Sequence, residues 1–372
     1  MAGPRSTIRA RKKRMNALPR WEQGSEFHWL RANGGETTPL PWREPIVLAG
    51  SGRDAIRCLL AHGIARRGWR RIWMPTYFCQ DVLSSIASTG ITVRAYHDNP
   101  LLPAPARPAE VERGDVLYVV NYFGLRSAPP FPESYGAELV EDHTHDPWSH
   151  WASNSNADYC IASLRKALPI PDGAVLWSPR ERELPPTPAV TPTRQAASAQ
   201  KLAAMLLKHL YLEGQRVNKQ AFRDLARQGE SNIASGEVSG ISPFSAALLS
   251  TFPITSWRNR RRLNQQRLCA RLAPAPWATV LSPDGDGSCP FSGIIVFDTA
   301  ARAQHVRQRL IGLGVYPAVL WSLDNPVLPA IPDADRELWP RLMSVHCDMR
   351  YSNDDMDRVA ELIVQLGNEW HR

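Results

Sequence analysis

Three apolar runs in the first half of this sequence end in groups that can do chemistry. Lys166 closes the run IASLRK just before a Pro-rich loop, PIPDGA. An amine at the mouth of a buried strand loses hydration, so its pKa falls and the neutral form can attack a carbonyl to make a Schiff base. Arg165 next door pushes the same way. The plain alternative is a lysine that snorkels to water. Asp142 ends the apolar part of GAELVEDHTHDPW, with His143 and His145 close behind. A carboxylate there is costly unless a cation faces it. That cation is a structural arginine, a metal shared with His143 or His145, or a protonated ring nitrogen on a cofactor. The third run, AGSGRDAIRCLL, sets Ser51, Gly52 and Arg53 between a strand end and a helix. Backbone N–H groups and the helix dipole favour phosphate at such a place, although an ordinary N-cap at Ser51 explains the same letters. Asp142 and Lys166 could also pair with each other, but desolvation offsets most of the attraction in a buried ion pair.

The elements that must hold these groups follow from the spacing of apolar residues. β-rich runs at 71–74, 92–96, 116–121, 139–141, 159–163 and 174–177 alternate with helical patterns at 53–66 and 80–89, which end near Gly63 or Gly68 and Gly90. This alternation predicts an α/β fold with a mostly parallel central sheet, in which ligands bind at the carboxyl ends of the strands. The proline-rich stretch 181–193 reads as an exposed connection out of this first half. Helical patterns then cover 194–228 and 242–272, with the Gly-rich SNIASGEVSGIS between them. A smaller α+β unit closes the chain, from the strand GIIVFD through a helix at 300–313 to SVHCDMRYSNDDMDRVAELIVQL. The expected divisions are a basic N-terminal arm over 1–45, a large cofactor-binding α/β domain over 46–190, a connecting region over 191–272 and a small α+β domain over 273–372.

The composition bounds the classes of function. A chain of 372 residues with 43% hydrophobic and 22% charged residues is an ordinary globular protein of enzyme size. No apolar run approaches the ~20 residues of a spanning helix, so no membrane partner is expected. The six cysteines lie far apart, with no CxxC pair and no metal-ligand spacing. Reduced thiols, no metal and a cytoplasmic location are the expectation, because the basic N-terminus lacks the apolar segment of an export signal. The net charge of +8 is concentrated in that N-terminus and in the run 258–262. Without a helix-turn-helix, zinc-finger or RNA-binding signature, such runs read as solvated surface or as a contact for an anionic small molecule rather than as a nucleic-acid site.

Together the three groups meet the demands of pyridoxal 5′-phosphate (PLP): an amine for its aldehyde, an acid to keep its pyridine nitrogen protonated, and a cradle for its phosphate. With SGRDAI, WMPTYFCQDVLSSI, VVNYFGL, LVEDHTH, SLRKALPIPDGA, RRRLN and CDMRYSNDDM in this order from about residue 46 onward, the chain resembles the DegT/DnrJ/StrS family. These are PLP-dependent sugar aminotransferases of fold type I, with a large domain around a mostly parallel sheet and a smaller C-terminal α+β domain. The resemblance implies Lys166 as the Schiff-base lysine and Asp142 as the partner of the pyridine nitrogen. His145 falls beside the cofactor's phenolic oxygen, Ser51, Gly52 and Arg53 in the phosphate loop, and Ser163 near the same phosphate. It also implies a homodimer with the active site at the subunit interface.

The chain departs from the family in four places. Arg53 stands where a threonine is common, and Cys79 where an aromatic ring usually stacks on the cofactor, which leaves Tyr77 or Phe78 to cover it. The partner-chain asparagine has no clear counterpart in GEVSGISPF, where Ser239 is the nearest candidate, and PIPDGA leaves Asp172 and Gly173 in a loop near the site. The expected activity is transamination of a keto-sugar, nucleotide-linked, with an amino donor such as glutamate, in polysaccharide or natural-product biosynthesis. The alternatives are dehydratase, lyase or condensation chemistry on the same cofactor, and a non-catalytic regulatory or nucleic-acid-binding relative. The dehydratases tend to replace the lysine with histidine, so Lys166 favours transamination.

Overall fold

The structure, a computed structural model, describes residues 18–24, 26–30, 39–106, 108, 110–129, 136–285 and 287–370. Residues 1–17 of the basic arm lie outside the described residues. In chain order the strands are β1 (Gln23–Gly24), β2 (Ile46–Ala49), β3 (Arg71–Pro75), β4 (Thr92–Tyr96), β5 (Asp115–Val120), β6 (Glu138–Asp142), β7 (Tyr159–Ser163), β8 (Ala174–Trp177), β9 (Ala278–Val280), β10 (Gly293–Phe297), β11 (Val315–Tyr316) and β12 (Leu342–Val345). The helices are α1 (Gly52–His62), α2 (Gln80–Ala87), α3 (His150–Ser153), α4 (Pro192–Leu212), α5 (Lys219–Ser235), α6 (Pro243–Leu248), α7 (Ile254–Leu272), α8 (Ala300–Gly312), α9 (Asp333–Leu338) and α10 (Asn353–Asn368).

Seven strands form one sheet in the order β2-β8-β7-β6-β5-β3-β4. Neighbours from β7 through β4 are parallel, and only β8 runs against its two neighbours. This is the mostly parallel α/β sheet that the alternation predicts. β5, DVLYVV, is buried along its whole length because both of its faces are covered. On one face Ile56, Leu59 and Leu60 of α1 and Leu83 and Ile86 of α2 pack against Ile72, Met74 and Tyr118. On the other face Trp73, Leu117 and Val119 meet Trp151. The strands expected at 92–96, 159–163 and 174–177 are found there, and the others shift at their ends by one residue.

The long helical patterns are each broken. The pattern over 194–228 becomes α4 and α5, separated at Gly214, whose φ of 84° is left-handed and favours glycine. The pattern over 242–272 becomes α6 and α7, with Pro253 at the N-cap of α7 because it has no N–H to continue a helix. Beyond them β12, β10 and β9 form an antiparallel sheet. Ile295 and Phe297 of that sheet share an apolar cluster with Val306 of α8 and Met356, Val359 and Ile363 of α10. Asn264 of α7 donates to the carbonyls of Cys347 (3.1 Å) and Tyr351 (2.9 Å), fixing this unit to the helix that leads into it. β1 pairs in parallel with β11, which carries the residues just after it, Glu26 and Phe27, toward the middle of the molecule. Among the described residues no helix is long and apolar enough to cross a membrane.

Candidate active site

Parallel strands end on the same side of a sheet, so β5, β6 and β7 deliver their last residues to one edge. Asp142, the last residue of β6, lies opposite Val120 and Ile161. Ser163 ends β7, and a single 3-10 turn, Leu164–Lys166, carries the chain on to the lysine. β2 reaches the same edge and passes through Gly50 and Ser51 into α1. The groups converge on a cavity of ≈ 160 Å³ lined by Ser51, Gly52, Arg53, Phe78, Asp142, His145, Ser163 and Lys166, with Cys79 and Trp321 beside them. Every residue expected at the site lines this cavity except Tyr77, which is fully buried and donates its hydroxyl to the Leu320 carbonyl. Between the two aromatic candidates, Phe78 is the one that faces the cavity, edge-on to Tyr118 at 5.5 Å.

Asp142 is 8% exposed, and its two oxygens accept from the Tyr118 hydroxyl (2.8 Å) and the Thr144 N–H (2.9 Å). Both donors are neutral, and Asp142 forms no ion pair with any described residue, neither with an arginine nor with Lys166. Among the described residues neither histidine shares a metal-ligand group with Asp142, and His143 is grouped instead with Glu141 and Cys160. His143 turns to the opposite side of β6, where its Nε2 lies 3.0 Å from Glu141, and His145 accepts the Phe123 N–H at Nδ1 (3.0 Å). Burial, then the nearby charge of Lys166, pushes the His145 pKa down to about 3. The ring is therefore neutral, and with Nδ1 accepting, its proton sits on Nε2 as a donor.

Lys166 is exposed, but the space it faces is the cavity, and it makes no hydrogen bond or ion pair to a described residue. Enclosure by the surrounding protein, then the positive charge of Arg165, lowers its pKa. Arg165 itself is tied to Glu230 of α5 by two bonds (2.7 and 3.1 Å). Arg53 (3.2 Å) and Lys201 (2.9 Å) reach the same carboxylate. Burial opposes the charge on Glu230, but Arg165 and Lys201 outweigh it and hold this carboxyl far below the usual range. At the start of α1, the Ser51 hydroxyl accepts the Asp54 N–H and the Ser51 carbonyl takes that of Ala55. The N–H groups of Gly52 and Arg53 are left outside the helix ladder, as the first turn requires. A Cβ on Gly52 would stand 3.3 Å from that of Ser163, so the end of β7 closes tightly on this turn. Ser51 thus caps the helix and also lines the cavity.

Two loop residues have other roles. Asp172 is fully buried and accepts from the N–H (2.9 Å) and hydroxyl (2.6 Å) of Ser242, fixing the start of α6; it does not line the cavity. Ser239 is held within its own chain, accepting the Thr191 N–H (3.0 Å) and donating to the Gly240 carbonyl (3.1 Å). Sequence reasoning missed Tyr118, Thr144, Glu230 and Trp321, which all line the cavity. Tyr118 carried a signal, since it and Val120 are two apart on β5 and so share a face. Trp321, whose ring stacks on His145 at 5.7 Å, comes from a loop with none.

No protein-family model and no curated protein sequence matches the chain. Solved structures do. The chain is similar to DesI, determined in the presence of its TDP-sugar product, at 17% identity and a TM-score of 0.58 over 87% of this chain and 80% of that one. It is similar to a DegT DnrJ EryC1 StrS aminotransferase from Brucella abortus at 15% identity and a TM-score of 0.55, over 87% and 86% of the two chains. A further likeness is to the PLP form of the putative sugar aminotransferase Spr1654 from Streptococcus pneumoniae, at 14% identity and 0.55, over 91% and 93%. The fold is that of the fold type I PLP aminotransferases. At the level of fold, these matches bear out the resemblance read from the sequence.

Proposed function

We propose that this chain is a PLP-dependent aminotransferase acting on a keto-sugar, nucleotide-linked, in polysaccharide or natural-product biosynthesis. One observation carries the reading. An amine and a carboxylate, each lacking an ionic partner among the described residues, line one cavity at the ends of adjacent parallel strands, next to the N-terminus of α1. The residues fit the cofactor's three demands. Lys166 offers the amine, Asp142 faces the cavity with a carboxyl group that no described cation pairs with, and Ser51, Gly52, Arg53 and Ser163 border the anion-favouring helix start. The solved structures lend the same support, since DesI was determined with a TDP-sugar product and Spr1654 in a PLP form.

Bound PLP supplies an electron-accepting ring that lets a donor amino acid release its α-proton. This chain's residues do the rest. Lys166 would hold the aldehyde carbon and, once the donor's amine displaces it, would take the α-proton and return it, a role its lowered pKa favours. Asp142 would keep the ring nitrogen protonated, and the hydrogen bonds from Tyr118 and Thr144 fix its orientation. His145, neutral with a proton on Nε2, can donate to the phenolic oxygen without adding charge. Phe78 and Trp321 line the cavity as apolar walls that exclude water.

Absorbance of the purified protein tests this. The expected result is a near-visible band that borohydride bleaches, absent from Lys166→Ala, and converted by an amino donor to the pyridoxamine form. A borohydride-fixed adduct that survives in Lys166→Ala would overturn the assignment.

A further inference from the structure

Lys166 also lines a second, larger cavity, ≈ 420 Å³, between the end of β7, helices α4, α5 and α7, the segment after β1 and the C-terminal unit. Its charged groups are nearly all answered. Asp348 accepts from Arg350 at both oxygens (2.7 and 2.7 Å). Glu230 accepts from Arg165 (2.7 Å) and Lys201 (2.9 Å), and Lys201 also reaches Glu26 (2.9 Å). Apart from Lys166, four cations therefore face three carboxylates among the described residues of the lining: Arg165, Lys201, Arg350 and Arg261 against Glu26, Glu230 and Asp348. The excess is one positive charge.

That charge belongs to Arg261. It is 7% exposed, its Nε is buried without a partner, and its side chain makes no hydrogen bond or ion pair to a described residue. Its neighbours in the basic run differ. Arg258 pairs with Asp146, Arg262 donates to the Ser288 carbonyl (2.9 Å), and Arg260 is exposed and reaches Asn353 (3.2 Å). The run is therefore not one solvated face. Helical periodicity turns Arg261 inward to a cavity it shares with the reactive lysine. A buried guanidinium without a counter-ion is costly, because desolvation is not repaid by any attraction. A fork of donors in that state suits a planar carboxylate, and Phe27, Met205 and Phe291 give an apolar wall beside it.

We infer that Arg261 binds the carboxylate of the amino-acid donor in this second cavity and so positions the donor beside Lys166. The inference rests on the aminotransferase reading and adds the residue that selects an amino acid over a simple amine. One excess charge fits one carboxylate better than a diphosphate.

Calorimetric titration of the holo-protein with 4-methylpentanoate, a monocarboxylate with an apolar body, reads this site without turnover. The wild type binds it, Arg261→Gln weakens binding by at least about tenfold, the expected cost of losing a hydrogen bond to a charged group, and Arg261→Lys loses less. Thermal unfolding without ligand separates this role from a structural one. Because Arg261 answers no described carboxylate, Arg261→Gln melts at or above the wild-type temperature. Equal affinity in Arg261→Gln and wild type, a clearly lower melting temperature, or tighter binding of inorganic phosphate than of the carboxylate overturns the assignment. If the borohydride-sensitive band is present and these results go the wrong way, only the Arg261 site fails. If the band is absent, the aminotransferase reading fails, and the titration still reports on the cavity.

Discussion

Glu141 and Asp142 leave the same strand on opposite faces. Glu141 is 4% exposed and accepts from the Ser155 hydroxyl (2.6 Å), with His143 Nε2 at 3.0 Å from the same oxygen. Burial works against its charge, but His143, then Ser155 and Trp151, outweigh that and hold its carboxyl below the ordinary glutamate range. His143 is in turn enclosed by the rings of Trp151 (5.0 Å, edge-on) and Trp177 (5.8 Å). Asp142, equally out of bulk water, has two neutral donors and a cavity in front of it. Where a buried charge is matched by its own chain, it serves the fold. Where it is left open toward a cavity, it is set for something that arrives. The same contrast separates Arg350 from Arg261, and Glu230 from Lys166.

The largest expected effect on folding comes from the matched side. Glu141→Ala leaves His143 without its hydrogen-bond partner in a closed apolar setting, at a cost of roughly 1–3 kcal/mol of folding stability and several degrees of melting temperature. Cofactor capture by the remaining folded protein stays as in the wild type. Since the folded pKa of Glu141 is depressed, its contribution is present above the ordinary glutamate pKa and disappears as pH falls through the folded value. The melting gap between wild type and variant therefore narrows in acid. A gap that widens there would show that Glu141 is not the matched charge of this pair.

Asp142→Asn should behave in the opposite way. It removes a carboxylate with no counter-ion among the described residues, so the melting temperature holds or rises. Losing an ionised hydrogen-bond partner worth about 3 kcal/mol slows single-turnover conversion of the donor on the order of 100-fold. If the variant instead unfolds easily and reacts at the wild-type rate, the roles of the two acids have been exchanged.

What the sequence made legible follows from how local each feature is. Lys166 and Asp142 could be found because a charged residue at the end of an apolar run stands out within a few letters, and β6 and β7 then bring the two runs side by side. Phe78 and Tyr77 could not be ranked, since which ring faces the cavity depends on the turn after β3. Glu230 was invisible, because its role is defined by Arg165, 65 positions away, and by Arg53 and Lys201. The basic run 258–262 looked uniform until the helix separated Arg261 from Arg260. Asp172, read near the active site, is drawn off by the start of α6, a contact across 70 positions.

The smallest effect is a displacement along the pH axis, and it tests the open side of the comparison at Lys166. Enclosure is the largest reason for its lowered pKa and Arg165 the second, while Glu230 acts in the opposite direction. Arg165→Gln removes a repelling charge and leaves Glu230 with one fewer cation, and both changes raise the lysine's pKa. A smaller share of the amine is then neutral at a given pH, so the limb in a stopped-flow profile of PLP capture by the apo-protein moves to higher pH. Glu230→Gln makes the reverse change. It removes the negative charge and frees Arg165 and Lys201, so its limb moves to lower pH. If the two limbs shift the same way, Arg165 and Glu230 do not set the titration of the lysine, and Lys166 owes its lowered pKa to enclosure alone.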